Sequence, residues 1–248
     1  MIPLIRGWAD VQRTPQANTR LGVTLAAVAG AANAGGFLAV NQYTSHMTGV
    51  VSGIADALVL GHTTTALVGL AMLVAFMSGA MCTAILVNWG MRHHMHSAYG
   101  LPLLLEATLL LVFGLFGGAI AIAANLFVPL TVVLLCFIMG LQNAVITKIS
   151  RAEIRTTHIT GLVTDMGIEL GKLLYINPSL SELPVRANHD KLRLQGKLIA
   201  AFASGALIGV LGFKHLGYIS TVPLAVALLA LVIKPIWKDM RPFAYPAA

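Results

Sequence analysis

Charge is what this chain most lacks. Of its 248 residues only 10% are Asp, Glu, Lys or Arg, where a soluble domain carries about a quarter. That deficit excludes an ordinary water-soluble globule and points to lipid as the solvent. Cysteine is scarce as well: Cys82 and Cys136 both lie inside apolar runs, so they read as buried free thiols and exclude a disulfide frame. Phosphate-cradling glycine loops, dinucleotide fingerprints and HExxH zinc sites are missing. Ser45 and His46 are sequence neighbours with no third group beside them, so no catalytic arrangement stands out and no enzyme activity is expected. The first 20 residues hold Arg6, Asp10, Arg13 and Arg20 and no long apolar core, so no cleaved signal is expected.

What is present is hydrophobicity, at 57% of residues. A membrane span needs about 20 mostly apolar residues, and six runs qualify: 21–40, 64–88, 101–124, 126–147, 197–213 and 218–236. Two shorter apolar segments, 47–61 and 159–174, carry Asp56 in the first and Asp165 and Glu169 in the second. Basic residues test the count. With six spans, residues 1–20, 89–100, 148–196 and 237–248 share one side. Together with Lys197 and Lys234 at span ends, they hold all 16 Lys and Arg except Lys214. Such asymmetry places both termini in the cytoplasm of a bacterial inner membrane, and it accounts for the net charge of +7 without a nucleic-acid partner. Eight spans would put Lys148, Arg151 and Arg155 outside. The polar insertion at 175–196 is expected to be a cytoplasmic loop, with room for a short surface helix.

The chain also repeats itself. Thr44-Ser45-His46-Met47-Thr48-Gly49-Val50-Val51-Ser52 returns as Thr156-Thr157-His158-Ile159-Thr160-Gly161-Leu162-Val163-Thr164. Asn33-Ala34 is matched by Asn143-Ala144, with Gly30 and Gly140 each three residues earlier. Phe76-Met77-Ser78-Gly79-Ala80 is matched by Phe202-Ala203-Ser204-Gly205-Ala206, and Pro102-Leu103 by Pro223-Leu224. Four matches in one order imply an internal duplication, with residues 21–124 and 126–236 as its copies. Each copy contributes three spans. Three is odd, so the second copy is expected to enter the membrane from the opposite side, as in many transporters.

The candidate site residues follow from the duplication and from polarity at membrane depth. Thr48 and Thr160, each followed by Gly, are expected to cap a short re-entrant or interfacial helix, whose N-terminus would offer free N–H groups. His46 and His158 are duplicated, yet no Cys or carboxylate stands at ligand spacing beside them, so no metal is expected. His93, His94 and His96 fall on a charged edge and read as a solvated loop. Thr48, Ser52 and Asp56 share one helix face; Thr160 and Thr164 share another, with Asp165 one position round. Such faces either line a path or meet water. Glu106, among leucines in the third span, either faces a polar cavity or snorkels to the interface. Asn33, Asn143 and Thr157 complete the set. Buried amides bond across helices and small residues let helices approach, so packing is the simpler reading of the Ser-Gly-Ala segments.

Gly140-Leu141-Gln142-Asn143-Ala144, Arg155-Thr156-Thr157, Ile159-Thr160-Gly161, Gly36-Phe37-Leu38 and His46-Met47-Thr48-Gly49 together resemble the YoaK-like family. These are bacterial six-helix membrane proteins grouped as a domain of unknown function. The resemblance covers roughly residues 20–235. It implies a fold but no settled activity. It also implies Asp where this chain has Asn33 and Asn where it has Val50, so a proton-carrying or polar role does not carry over to those two positions.

The expected protein is all-α and polytopic, with six transmembrane helices as two inverted three-helix repeats. The expected function is a transporter or channel for a small solute or ion, with the two motifs flanking a central site and no cofactor. A membrane scaffold or assembly factor is the alternative. A homo-oligomer is compatible with either. A continuous cavity lined by both motifs favours transport; a solid core with an exposed apolar face favours the scaffold.

Overall fold

The computed structural model describes residues 14–122, 124–150, 154–177 and 184–240. The described residues form helices and no strand. In chain order these are α1 (Pro15–Val40), α2 (Met47–Val59), α3 (Thr63–Arg92), α4 (Gly100–Ile122), α5 (Ala124–Ser150), α6 (Ile159–Leu174), α7 (His189–Leu216) and α8 (Val222–Met240). Local chemistry sets several ends. Thr14 Oγ1 accepts the Ala17 N–H at 3.2 Å with Pro15 just inside the start of α1, and Asn41 ends that helix in the left-handed region at φ 52°.

Five helical runs are long and apolar enough to cross a membrane. The last, His189–Asp239, spans 51 residues, which as one helix would be about 75 Å long, far beyond a bilayer. Gly217, at φ 63°, turns it instead and leads through a 3-10 turn into α8. Six apolar helices result. α1 and α5 are central, each 61% buried over its apolar window, whereas α3 is 28% buried. Leu67, Met81 and Ile85 of α3 and Leu207, Ile208 and Leu211 of α7 are more than half exposed. Apolar faces of that extent need lipid, and these are the helices of a multi-pass membrane protein.

Contacts reveal the running directions. α1 packs on α7 with Gly22 against Leu198, Gly30 against Phe202 and Gly35 against Phe213, so the two run parallel. α3 and α5 are parallel too: Gly79 meets Phe137, and further along Lys148 Nζ donates to Asn88 Oδ1 at 3.2 Å. α4 and α8 are antiparallel, held by Thr221 Oγ1 on the Leu110 carbonyl at one end and Ser97 on Asp239 at the other. α1 and α5 are also antiparallel, with Gln142 Nε2 on the Leu25 carbonyl and Gly36 against Leu135. The core lies where these pairs meet, around Leu110 and Phe113 of α4, Leu135 and Met139 of α5, and Leu228 and Val232 of α8.

Four of the close helix contacts recur between the copies. Gly30 faces the Phe202 carbonyl as Gly140 faces that of Phe76, and Gly205 faces the Ala27 carbonyl as Gly79 faces that of Phe137. Packing is thus the role of Gly79 and Gly205 in the Ser-Gly-Ala segments. Ser78 and Ser204 only bond carbonyls of their own helices, Val74 and Ala201.

Three boundaries differ from those expected. The second half of the 175–196 insertion is not loop but the first turns of α7, because Asn188 Oδ1 accepts the N–H groups of Asp190 and Lys191 and starts the helix at His189. Residues 15–20 already belong to α1, and α8 runs on to Met240. Most of the expected N-tail (1–13) and C-tail (241–248), and residues 178–183 of the insertion, lie outside the described residues.

Candidate functional site

The two motifs sit where the chain doubles back. After α1 ends at Val40, the backbone returns until the Ser45 N–H donates to Asn33 Oδ1 at 3.0 Å. Asn33 is seven residues before the end of α1, so α2 starts about 10 Å below that end. The second copy does the same: Thr157 Oγ1 donates to Asn143 Oδ1 at 2.7 Å, seven residues before α5 ends at Ser150. Asn143 Nδ2 is engaged by its own helix, at the Met139 carbonyl. The two asparagines therefore tether the returning loops. An Asp in place of Asn33 would present the same acceptor to Ser45.

Both short helices open alike, and not as expected. His46 and His158, not Thr48 and Thr160, are the N-cap residues, with φ/ψ of −96°/66° and −84°/57° and no side-chain capping bond. The threonines lie inside the first turn because each imidazole folds over that turn. A Cβ at Gly49 or Gly161 would overlap the ring of His46 or His158. This is the physical content of the His-x-Thr-Gly spacing: Gly stands three residues after His because the ring occupies the space a side chain would need. The first in-helix acceptors are the His46 carbonyl for Val50 N–H and the His158 carbonyl for Leu162 N–H. The preceding N–H groups, including those of Thr48 and Thr160, have no partner among the described residues.

Between the motifs lies a cavity of about 740 Å³. Its lining falls into corresponding pairs from the two copies: Asn33 and Asn143, Tyr43 and Arg155, Ser45 and Thr157, His46 and His158, Met47 and Ile159, Thr48 and Thr160, Phe76 and Phe202. Thr147 completes it. The contacts between α1 and α5 put Gly30 and Gly140 at about one depth. Phe202 and Phe76 pack on those glycines, so the cavity sits near the middle of the bundle. Tyr43, stacked on Phe37 with centroids 4.5 Å apart, and His46 also border a second cavity of about 310 Å³ between α2 and α3.

Seven of the expected site residues meet in the central cavity: Asn33, His46, Thr48, Asn143, Thr157, His158 and Thr160. Five lie elsewhere. Ser52, Asp56 and Thr164 are exposed on α2 and α6. Asp165 reaches across to α7, 3.1 Å from Lys191 Nζ and 3.3 Å from Gln195 Nε2. Glu106 is fully buried in α4, and neither carboxyl oxygen has a hydrogen-bond partner, so it does not snorkel to the interface. Sequence reasoning missed Tyr43 and Arg155, which differ in type between the copies and so gave no repeat signal. At the polar end of α6, Glu169 is held below its ordinary carboxyl range by the Asn188 N–H (2.8 Å) and by Lys172 Nζ (2.9 Å). Among the described residues no three His, Cys, Asp or Glu cluster as metal ligands do. His93, His94 and His96 are exposed, as a solvated loop requires, and His96 also binds Asp239 through its ring and backbone.

Comparison with known families agrees with this framework. The model of a family described as protein of unknown function (DUF1275) matches residues 21–234. The chain belongs to the DUF1275 family. YoaK-like proteins are its known type, so the resemblance read from the repeated motifs is the family relationship. The match covers every residue of the central cavity and all but the last two residues of the two repeated halves. No curated protein and no solved structure matches the chain.

Proposed function

We propose that this DUF1275 protein is a transporter or channel for a small solute, built as two inverted three-helix repeats in the bacterial inner membrane with both termini cytoplasmic. The observation that carries the reading is the central cavity lined residue for residue by both copies. Paired polar residues around one open cavity at this level are what a pathway needs, and polar groups at membrane depth mark pathways. The antiparallel course of α1 and α5, the first helices of the two copies, supports the inversion. The return of each chain to the Asn33 and Asn143 level supports re-entrant α2 and α6. The contacts also gather Arg20, Arg92, Lys148 and Lys197 at one end of the bundle, as a cytoplasmic face requires. The second cavity, sharing Tyr43 and His46, offers an approach along α2 and α3.

Thiol accessibility tests this directly. In a variant without Cys82 and Cys136, single cysteines at Thr48 and Thr160 are treated with a small membrane-impermeant thiol reagent from each side of the membrane. A solute site at mid-depth requires both to react from at least one side. If neither reacts in a folded, inserted protein, the motifs merely turn the chain and the scaffold reading replaces this one. Cysteines at 184–188 and at 214–217 orient the bundle; labelling of 184–188 from outside would overturn the six-span topology.

A further inference from the structure

The proposed site carries a chemical bias that its symmetry hides. Its lining holds one permanent cation, Arg155, and no Asp or Glu. Acidic groups nearby are engaged elsewhere: Asp165 with Lys191, and Glu169 with Lys172 and the Asn188 N–H. Arg155 has no ion-pair partner among the described residues. Asn33 adds a second, independent sign. Its side chain is 7% exposed and borders the cavity, and its Oδ1 is committed to the Ser45 N–H. That commitment fixes the amide orientation and leaves Nδ2, a two-proton donor, without a partner among the described residues. The starts of α2 and α6 bring open N–H groups and the positive ends of two helix dipoles to the same space. Among the described residues, donors therefore line the cavity and no carboxylate does. The cavity is open, with Arg155, His46, His158, Thr48 and Thr160 exposed to it; a cation there would meet no carboxylate from the described lining, whereas an oxyanion would find Arg155, the Asn33 amide and the helix starts.

Resting on the transport reading above, we infer that the solute is a small oxyanion, a carboxylate or an inorganic oxoacid anion, bound between Arg155 and the first turns of α2 and α6. Arg155 is the residue that sets charge selectivity.

The test uses the full-length protein in nanodiscs, with thermal unfolding followed in sodium phosphate, sulfate, acetate or chloride at one ionic strength, and in tetramethylammonium chloride. At least one of the three oxyanions should raise Tm saturably over chloride, and tetramethylammonium should not. Arg155→Gln should weaken that protection at least tenfold while leaving Tm in chloride unchanged, and Arg155→Lys should restore part of it. Asn33→Asp keeps the acceptor for Ser45 but adds a negative charge, and should abolish protection. Undiminished protection in Arg155→Gln, protection by the cation alone, or no protection by any oxyanion overturns the inference. The accessibility experiment separates the two failures. If the cysteines at Thr48 and Thr160 react but no oxyanion protects, only the charge assignment falls; if they are inert, the site itself falls.

Discussion

Replacing four glycines by alanine should weaken the bundle in a way that the same change elsewhere should not. A Cβ at Gly30, Gly79, Gly140 or Gly205 would come closer than 3.0 Å to the carbonyl oxygen of Phe202, Phe137, Phe76 or Ala27 respectively. Each obstacle is helix backbone, which cannot rotate away as a side chain can. The helices would have to part, and a gap of roughly 0.5–1 Å forfeits a quarter to a half of each dispersion contact along the seam. Overpacking of this kind costs about 1–3 kcal/mol. The better helix propensity of Ala returns about 1 kcal/mol, leaving a net loss of up to roughly 2 kcal/mol per site. Gly53, Gly167 and Gly171 lie in α2 and α6 with nothing within 4 Å of an added Cβ. There the propensity gain stands alone, and Ala should stabilise by up to ~1 kcal/mol. Thermal unfolding of the seven purified variants in one detergent reads both signs. Four seam variants as stable as the parent would show that α1 and α7, and α3 and α5, are not in the close register described here.

Gly49→Ala and Gly161→Ala should each expel an imidazole from the first turn of its helix, which would appear as a changed cavity-thiol reaction rate at Thr48→Cys or Thr160→Cys; unchanged rates would contradict the ring placement. Glu106→Met removes two buried oxygens that have no partner, and relieving such a group is worth about 1–3 kcal/mol, so Tm should rise; a fall would mean that the carboxyl is satisfied in the membrane. Glu169 has a folded pKa below its ordinary 4.5. Its contribution is therefore complete above that value and is lost as pH falls through the lower folded value. Acid unfolding profiles of the parent and Glu169→Gln should keep a constant offset above about pH 4.5 and converge as pH falls from there through the lower folded value; profiles parallel throughout would deny the ties to Asn188 and Lys172.

Composition and hydrophobic runs by themselves determined the solvent and the six apolar helices, because a lipid-facing surface must be written residue by residue in the chain; the family was legible only through the resemblance of the repeated motifs. Duplication was legible for a similar reason: paired Gly, Asn, His and Phe are demanded by steric or hydrogen-bonding needs that both copies share. Gly30 and Gly140 had to remain Gly because a carbonyl occupies the space of a side chain. What the string could not convey was which polar residues meet. Thr48, Ser52 and Asp56 share a helix face, yet only Thr48 borders the central cavity, because only the first turn of α2 reaches it. Asp165 is close to Thr160 in sequence but is drawn to Lys191 on α7. Arg155 and Tyr43 enter the cavity although their types differ between the copies, since backbone symmetry brings corresponding positions together whatever side chains they carry. The cap went to His46 and His158 because an imidazole lying over the first turn excludes a Cβ at Gly49 and Gly161, a contact that local propensity does not record. Depth, likewise, was decided in three dimensions, by the hydrogen bonds of Asn33 and Asn143 that draw each returning loop back to the middle of the bundle.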